Sequence, residues 1–308
     1  MRYGLAAACV LLSVSSFSQK VTWNRFTLTE ENDFLNILPR GLDRYYSQGL
    51  RLGLSYQHLH ARHWRLIHPG AGPNAVQEYE VSLTQQLFTP SHTQTPFFQF
   101  TTDRPYAACA FLSHAAVSTD TITHNRFTSR LDIGIVGPAA LGQEIQTFFH
   151  TLTREPVPQG WGNQMQNDIY LNYLVEWNKE LRLSKKLIAG SVVQINAGTI
   201  YNNAAVGLSL RTPPGNLKNL FRYEFFFRPT LRLVLYNSLL QGGLLAHAEN
   251  NIRQYFLTNT SLLVGQGQAG FAIKRKKKSF VYSTTFLTRE FHSGFTHFYS
   301  GITLGFDF

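Results

Sequence analysis

Charged residues are scarce in this 308-residue chain, because Asp, Glu, Lys and Arg together make up only 15%. Soluble domains usually carry roughly 25%. Met occurs only twice, which argues against a helical protein with a Leu/Met-packed core. After the N-terminus no apolar run approaches the roughly 18 to 20 residues that a membrane-spanning helix needs, so a polytopic helical membrane protein is excluded. The 44% of hydrophobic residues excludes an intrinsically disordered chain.

Cysteine is also scarce, with only Cys9 and Cys109 present. Cys9 lies in an apolar leader, where a lipoprotein cysteine is the alternative interpretation, although the apolar stretch before it is short for one. The mature chain then keeps one thiol and forms no internal disulfide. An exported protein without this crosslink takes its stability from a large sheet or from a membrane.

The leader has the three parts of a secretory signal peptide. Arg2 supplies the positive start, residues 5–14 the short apolar core, and Ser16 and Ser18 the small-residue exit. We therefore expect a signal peptide over residues 1–18, with residues 19–308 forming a single mature domain. Loss of Arg2 changes the formal net charge from +10 to 10 − 1 = +9.

The body of the chain alternates with period two. Between residues 45 and 58 one face is predicted to carry the even positions Tyr46, Gln48, Leu50, Leu52, Leu54 and Tyr56. Similar alternation occurs at residues 79–83, 169–177, 269–273 and 281–287, and the chain ends on Phe308 with every second residue apolar. Alternation over strand length predicts β-strands. A final strand that ends in Phe is typical of bacterial outer-membrane barrels.

Two β architectures fit this alternation, a soluble sandwich and a transmembrane barrel. Long strand candidates, aromatic residues near strand ends and the terminal Phe after a signal peptide favour the barrel. A lipid-exposed sheet must close, because its edge groups would find no water to bond. We expect an all-β fold, a closed antiparallel transmembrane β-barrel of about 12 strands with a short external helix.

An even number of strands predicts which connections face outward. Both termini then lie in the periplasm, so the connections near residues 32–44, 89–106 and 137–167 are expected on the external rim. The basic run 274–278 is expected to form a short periplasmic turn, with a phosphate-binding patch as the alternative.

Two rim segments are rich in polar groups. Residues 30–34 read Glu-Glu-Asn-Asp-Phe and residues 43–49 read Asp-Arg-Tyr-Tyr-Ser-Gln-Gly. Clustered carboxylate and amide oxygens suit calcium, although the spacing matches no EF-hand and a plain acidic loop is the alternative. Residues 103–107, Asp-Arg-Pro-Tyr-Ala, combine a rigid Pro with an Arg–Asp pair that could fix the loop or hold a phosphate.

Residues 138–153 break the period-two pattern. They begin with Pro at a helix-start position and predict a helix of about four turns. Gln146 and His150 are four residues apart and project from one face. His can act as a general base, and Gln can orient water or donate to an oxyanion; two ordinary polar surface residues are the alternative. No GxSxG, Walker, HExxH or paired CxxC motif occurs, so a serine-triad lipase is not indicated.

Taken in order, these segments resemble the outer-membrane lipid A 3'-O-deacylase family over essentially the whole mature chain. The motifs that carry the resemblance are Glu31-Asn32-Asp33, residues 43–49, residues 103–107, residues 137–150 and Gly160-Trp161-Gly162-Asn163-Gln164. Ser47 and Gln48 stand where the family often has Thr and Asn. Ala108 and Cys109 replace an expected Gly and aromatic residue, which affects substrate fit more than chemistry.

The resemblance implies a calcium-dependent esterase site between the barrel wall and the external helix, which removes the 3'-linked acyloxyacyl group of lipid A. It makes His150 the general base that activates water, with Asn32, Ser47 and Gln146 in the same catalytic site. It also makes Asp33 the calcium-side carboxylate and Glu155 a further acidic contributor. Arg104 and Tyr106 would contact substrate, or Arg104 would hold its loop.

The same resemblance implies a monomer in the bacterial outer membrane, with its site facing the outer leaflet and lipid A or lipopolysaccharide as substrate among the outer-membrane lipids. The positive charge is compatible with lipid A phosphates, whereas nucleic acid is discounted as a partner for an exported barrel. An outer-membrane phospholipase and a passive porin are the alternatives. The porin predicts a polar, water-filled lumen, and the enzyme predicts a filled lumen with a site on the outer wall.

Overall fold

The structure is a computed structural model that describes residues 21–37, 44–58, 62–94, 103–217, 220–243 and 259–308. The predicted signal peptide and Asp43 of the second motif lie outside these residues, so the leader stays a prediction. Within the described ranges, no helix is long and apolar enough to cross a bilayer.

Antiparallel strands with short connections make up most of the fold. The strands are β1 (Val21–Asn32), β2 (Tyr45–His58), β3 (Val76–Thr89), β4 (Ala107–Asp120), β5 (Asn125–Val136), β6 (Asp168–Arg182), β7 (Ile188–Gly198), β8 (Tyr201–Arg211), β9 (Gly215–Leu217), β10 (Phe221–Asn237), β11 (Leu263–Arg275), β12 (Lys278–Leu287) and β13 (His297–Asp307). The helices are α1 (Gly142–Thr153) and the short α2 (Ser238–Gln241), with 3-10 turns at Arg62–Leu66, Pro138–Ala140 and Trp161–Asn163.

The sheet closes on itself. Each strand pairs with its neighbour in sequence, except that β10 pairs directly with β8, and the ring closes where β1 meets β13. The three-residue β9 pairs only with the start of β10, so twelve of the thirteen strands form the barrel. The predicted closed antiparallel barrel of twelve strands is confirmed, with one extra strand and a short helix.

The connections fall where strand parity predicts. Because β1 runs away from the N-terminus, the described parts of these connections share the rim opposite the chain termini. These parts are residues 33–37, 44, 90–94, 103–106 and 137–167. The basic run forms the tight β11–β12 turn on the terminal side, where Lys276 adopts a φ of 50°. The Lys274 ammonium lies 2.7 Å from the Asp307 carboxylate, so the turn is anchored by an ion pair.

The two faces of the wall differ as a membrane barrel requires. Leu52, Leu54 and Leu83 are exposed on the outer face, where hydrocarbon covers them. The lumen contains ion pairs, including Arg51–Glu80, Arg228–Glu176 and Arg211 with both Glu180 and Glu224. A polar cavity of about 540 Å³ is lined in part by Arg228 and Glu176.

An apolar layer fills the lumen at the rim end. Its buried members are Tyr46, Phe88, Ala107, Cys109, Phe111, Val136, Met165, Tyr170, Ile200 and Leu239. Phe111 stacks on Tyr170 with ring centroids 4.3 Å apart, and α2 inserts Leu239. The lumen therefore combines a packed apolar layer with a polar cavity, and the filled lumen expected of the enzyme stays a prediction.

Two local predictions are corrected. Tyr46 does not share the outer face with Leu52, because a β-bulge at Ser47 between Tyr46 and Gln48 turns it into the lumen. The helix predicted over residues 138–153 is interrupted: Leu141 adopts a left-handed φ of 58°, so a 3-10 turn ends there and α1 begins at Gly142.

Candidate active site on the outer wall

The helix α1 packs against the outer wall of β3 and β4 at the rim. A Cβ atom at Gly142 would lie 2.4 Å from the Ala108 Cβ and 2.8 Å from the Trp161 ring, so only glycine allows this approach. Buried Leu87, Tyr106, Ala108, Ala140 and Trp161 form the apolar contact between helix and wall. Ala108, noted above as a departure from the family pattern, puts its methyl group into this contact, which is why position 142 must be glycine.

Gln146 faces the wall in this contact. Its side chain is 3% exposed, and its Oε1 accepts a hydrogen bond of 2.7 Å from the indole Nε1 of Trp161. An indole N–H only donates, so the amide oxygen must face Trp161. The two amide N–H groups of Gln146 are therefore the donors that remain for another partner.

His150 lies one turn further along α1 and is partly exposed. The helix ends after Thr153 because Arg154 adopts a left-handed φ of 61°, and the following Glu155 N–H returns to the His150 carbonyl at 2.8 Å. This turn brings the Pro156 carbonyl to 2.8 Å from His150 Nδ1. Since a carbonyl only accepts, neutral His150 carries its proton on Nδ1 and its lone pair on Nε2.

The bulge on β2 places Ser47 on the neighbouring part of the wall. Ser47 is 3% exposed and exchanges a hydrogen bond with the Thr89 hydroxyl at the end of β3. Thr89 follows Leu87 on the outer face, two residues beyond the helix contact. The structure thus places the predicted Ser47 hydroxyl beside the wall strand on which α1 packs.

Strand alternation separates the acidic residues that the sequence had grouped. Glu31 points into the lumen, where its carboxylate accepts a hydrogen bond of 2.6 Å from Tyr46 Oη. Glu30 and Asn32 lie on the outer face, and Glu30 Oε1 accepts a hydrogen bond of 3.1 Å from Gln48 Nε2. The outer wall at the rim therefore carries a carboxylate and two amides where lipid would otherwise contact apolar side chains.

Gly49 allows the inner half of this arrangement. A Cβ atom there would lie 1.9 Å from Tyr46 Oη and 3.2 Å from the Glu31 carboxylate. Position 49 in the second motif is glycine because the phenol of Tyr46, on the same strand, comes too close for a side chain there.

Asp33 begins the first rim connection. It is 5% exposed, and its Oδ2 accepts a hydrogen bond of 3.1 Å from the backbone N–H of Arg44, three residues before Ser47. The connection is held down where Asn36 donates to the Phe298 carbonyl at 2.8 Å and accepts from Ser300 Oγ. Asp33 is therefore held at a fixed place on the rim, on the same side of the barrel as β1 and β2.

These groups match calcium in the type of ligand atom that they offer. Asp33, Glu30 and Asn32 offer the hard oxygen donors that calcium takes. Among the described residues, however, no three His, Cys, Asp or Glu side chains come close enough together to hold a metal ion. Glu155 is exposed beyond the end of α1. Both its predicted metal role and that of Asp33 stay predictions.

The third motif fixes its own loop. Asp103 accepts hydrogen bonds from the backbone and hydroxyl of Ser91. Arg104 is 1% exposed, lies 3.5 Å from the Glu290 carboxylate and covers the Phe88 ring at 4.5 Å. Tyr106 is also buried and packs on Trp161 with ring centroids 4.9 Å apart. This placement favours loop holding over phosphate binding for Arg104.

Sequence reasoning had assigned no role to Thr89, and it had included Glu30 only as part of the acidic cluster that suits calcium. Because Leu28 faces lipid, strict alternation along β1 could have placed Glu30, two residues later, on the same face. Trp161 was part of a motif, but its bond to Gln146 joins α1 to a 3-10 turn fifteen residues further along the chain. The Ser47–Thr89 pair depends on a bulge and carries no sequence signal.

Comparisons with known proteins identify the family and the fold. The family model described as "Outer membrane protein LpxR" matches residues 5–308. No curated protein matches the chain. The solved structure of LpxR from Salmonella typhimurium superimposes with a TM-score of 0.70 at 20% identity, covering 92% of this chain and 100% of that one.

More distant outer-membrane barrels are also found. The β domain of the Bordetella autotransporter BrkA gives a TM-score of 0.43 at 10% identity, covering 94% of this chain and 98% of that one. The translocator domain of NalP from Neisseria meningitidis gives 0.41 at 8% identity, covering 99% and 95%. The family match spans nearly the whole chain, so this protein belongs to the outer membrane protein LpxR family, the lipid A 3'-O-deacylase family that its motifs resemble.

Proposed function

We propose that this protein is a calcium-dependent esterase that hydrolyses the 3'-linked acyloxyacyl group of lipid A at the outer leaflet. Family membership supports the broader activity, a lipid A deacylase of the outer membrane. The position of the ester, the metal and the catalytic base are part of the proposal. We also propose that the protein acts as a monomer.

The observation that carries the proposal is the fixed pair on α1. Trp161 fixes the amide of Gln146, and Pro156 fixes the ring of His150. A base and a donor that are each held in one orientation, one helical turn apart, support a general-base role for His150.

In the proposed reaction, Nε2 of His150 takes a proton from a water molecule as its oxygen attacks the ester carbonyl carbon. The His150 imidazolium then returns this proton to the departing sugar oxygen. The products are a free fatty acid and a sugar hydroxyl, so no covalent acyl-enzyme forms. The amide N–H groups of Gln146 orient the water or donate to the developing oxyanion.

Asn32 and Ser47 shape the wall side of the site. Ser47 acts as a positioning hydroxyl rather than a nucleophile, because its hydroxyl is committed to Thr89 inside a buried bulge. Arg104 and Tyr106 hold the rim loops against the helix contact, with a substrate phosphate as the alternative partner of Arg104.

Asp33 would be the first ligand to calcium, with Glu155 a further acidic candidate. When bound, calcium would supply positive charge for the ester carbonyl oxygen.

The test is mass spectrometry of lipid A incubated with the folded protein in detergent, with calcium, with chelator and with calcium restored. We expect loss of one 3'-linked acyl group with calcium, no loss with chelator, and recovery on restoration. A glycerophospholipid in parallel incubations should stay intact. Hydrolysis of the phospholipid alone would assign the site to a phospholipase, and an unchanged rate in chelator would remove calcium from the proposal.

A further inference from the structure

One flank of α1 is apolar and lies outside the protein core. Phe148, Phe149 and Leu152 are 63%, 37% and 67% exposed. At 100° per residue these side chains and Ile145 fall within an arc of about 100°. Gly142 and Gln146, which face the wall, lie to one side of this arc. Gln143, Glu144, Thr147, His150 and Thr151 occupy the remaining surface.

The flank is continuous with the lipid-facing belt of the barrel. Ile145 and Ala110 both pack on the apolar cluster between helix and wall, and Ala110 lies three residues inside the rim end of β4. The next outward residue on β4 is Leu112, which is 58% exposed and pairs with the exposed Leu83. The apolar flank therefore faces the same surroundings as the outer wall below it.

The helix also starts below the rim end of the barrel wall. The Ala140 carbonyl accepts a hydrogen bond of 2.7 Å from Gln85, four residues inside the rim end of β3. At about 3.3 Å per strand residue, this contact lies roughly 13 Å along the strand from its rim end. A helix attached at this level lies beside the outer face of the wall, which carries the exposed Leu83 and Leu112 further down the same two strands.

We infer that the apolar flank of α1 inserts among the acyl chains of outer-leaflet lipids. The helix then acts as an interfacial anchor, with its polar flank toward the headgroups. Exposed aromatic and aliphatic side chains on one flank of a short helix are the composition that such insertion requires. This inference goes beyond the proposed function, because it rests on the position of the helix and not on hydrolysis.

The test uses single cysteines labelled with bimane in vesicles of phosphatidylcholine. Phe148→Cys and Leu152→Cys report the apolar flank, and Gln143→Cys and Thr151→Cys are matched controls on the polar flank. Cys109 is buried, and the unsubstituted protein measures its background labelling. Brominated acyl chains and aqueous iodide serve as the two quenchers.

We expect brominated lipid to quench the labels at positions 148 and 152 severalfold more strongly than those at 143 and 151, and iodide to show the reverse order. Iodide quenching at 148 and 152 as strong as at the controls would overturn the inference. So would protection in detergent that disappears on dilution, since that would assign the flank to a second copy of the chain. Neither readout depends on lipid A hydrolysis, so the inference and the proposed function can fail separately.

Discussion

The indole Nε1 of Trp161 lies 2.7 Å from Oε1 of Gln146, and both residues are buried where α1 meets the barrel wall. The bond ties the helix to the rim segment that follows it and fixes the amide of Gln146. A residue outside the helix thus sets the direction of a donor within the site.

Trp161→Phe tests this relationship. The change keeps most of the aromatic packing but leaves a buried amide oxygen without its donor, which costs about 1–3 kcal/mol. If the whole cost is expressed in catalysis, kcat/KM for acyl release falls roughly tenfold to a hundredfold. Trp23→Phe, at an exposed position at the other end of the wall, should leave the rate unchanged. An unaltered rate in Trp161→Phe would show that the orientation of Gln146 does not matter.

Gly142→Ala tests the close packing of α1 against the barrel wall. The added methyl would lie 2.4 Å from the Ala108 Cβ, so the helix must move outward and His150 with it. We expect a large loss of acyl release with little change in barrel stability, measured by unfolding in urea. Gly162→Ala is the matched control, because its Cβ would have no neighbour within 4 Å. Equal activity in the two variants would show that acyl release does not depend on the close packing of α1 against the wall.

Arg104→Met tests whether this buried cation holds the rim or binds substrate. Removing one partner of a buried ion pair costs about 3–5 kcal/mol, so the variant should unfold at lower urea concentration. Adding Glu290→Gln removes the carboxylate left behind and should restore part of that stability. We expect KM for lipid A to stay near the wild-type value in the folded double variant. A large rise in KM without a stability change would favour phosphate binding.

His68 gives a pH dependence of stability. It is fully buried in the β2–β3 connection, where its ring nitrogens contact Ser129 and His114 at 2.7 and 2.8 Å. Burial, with a smaller contribution from His114, lowers the pKa of His68 to about 4. An unfolded His has a pKa near 6.5, so the unfolded chain binds more protons between these values.

Stability is therefore lost as the pH falls from about 6.5 to 4, by about 1–3 kcal/mol from this residue. Urea unfolding at a series of pH values measures the slope. His68→Gln should flatten it in that window, while His92→Gln in the rim connection should not. Equal slopes in wild type and His68→Gln would place the acid sensitivity elsewhere.

Much of the architecture could be predicted because a barrel wall imposes one rule on every strand. Period-two alternation identified the strands, and parity placed Asp33, Arg104 and His150 on one rim. The rule fails where one residue breaks it. A bulge at Ser47 turns Tyr46 inward, and the left-handed Leu141 delays α1 by a turn. Neither position carries a glycine or another local signal.

Contacts between distant segments could not be predicted from the sequence either. The spacing of Gln146 and His150 predicted a shared helix face, but their partners Trp161 and Pro156 depend on how the chain returns after the helix. The alternation that predicted the barrel also separates Glu30 from Glu31, so the clustered acidic segment does not form one site.

The measurement that tests the central claim most directly is the rate of 3'-acyl release from lipid A by His150→Gln, followed by mass spectrometry. The comparison proteins are the wild type and Gln194→Ala, a change in the lumen cavity. A base on the outer wall predicts that His150→Gln releases almost no acyl group and that Gln194→Ala matches the wild type. Release by folded His150→Gln at the wild-type rate, or loss of release only in Gln194→Ala, would contradict it.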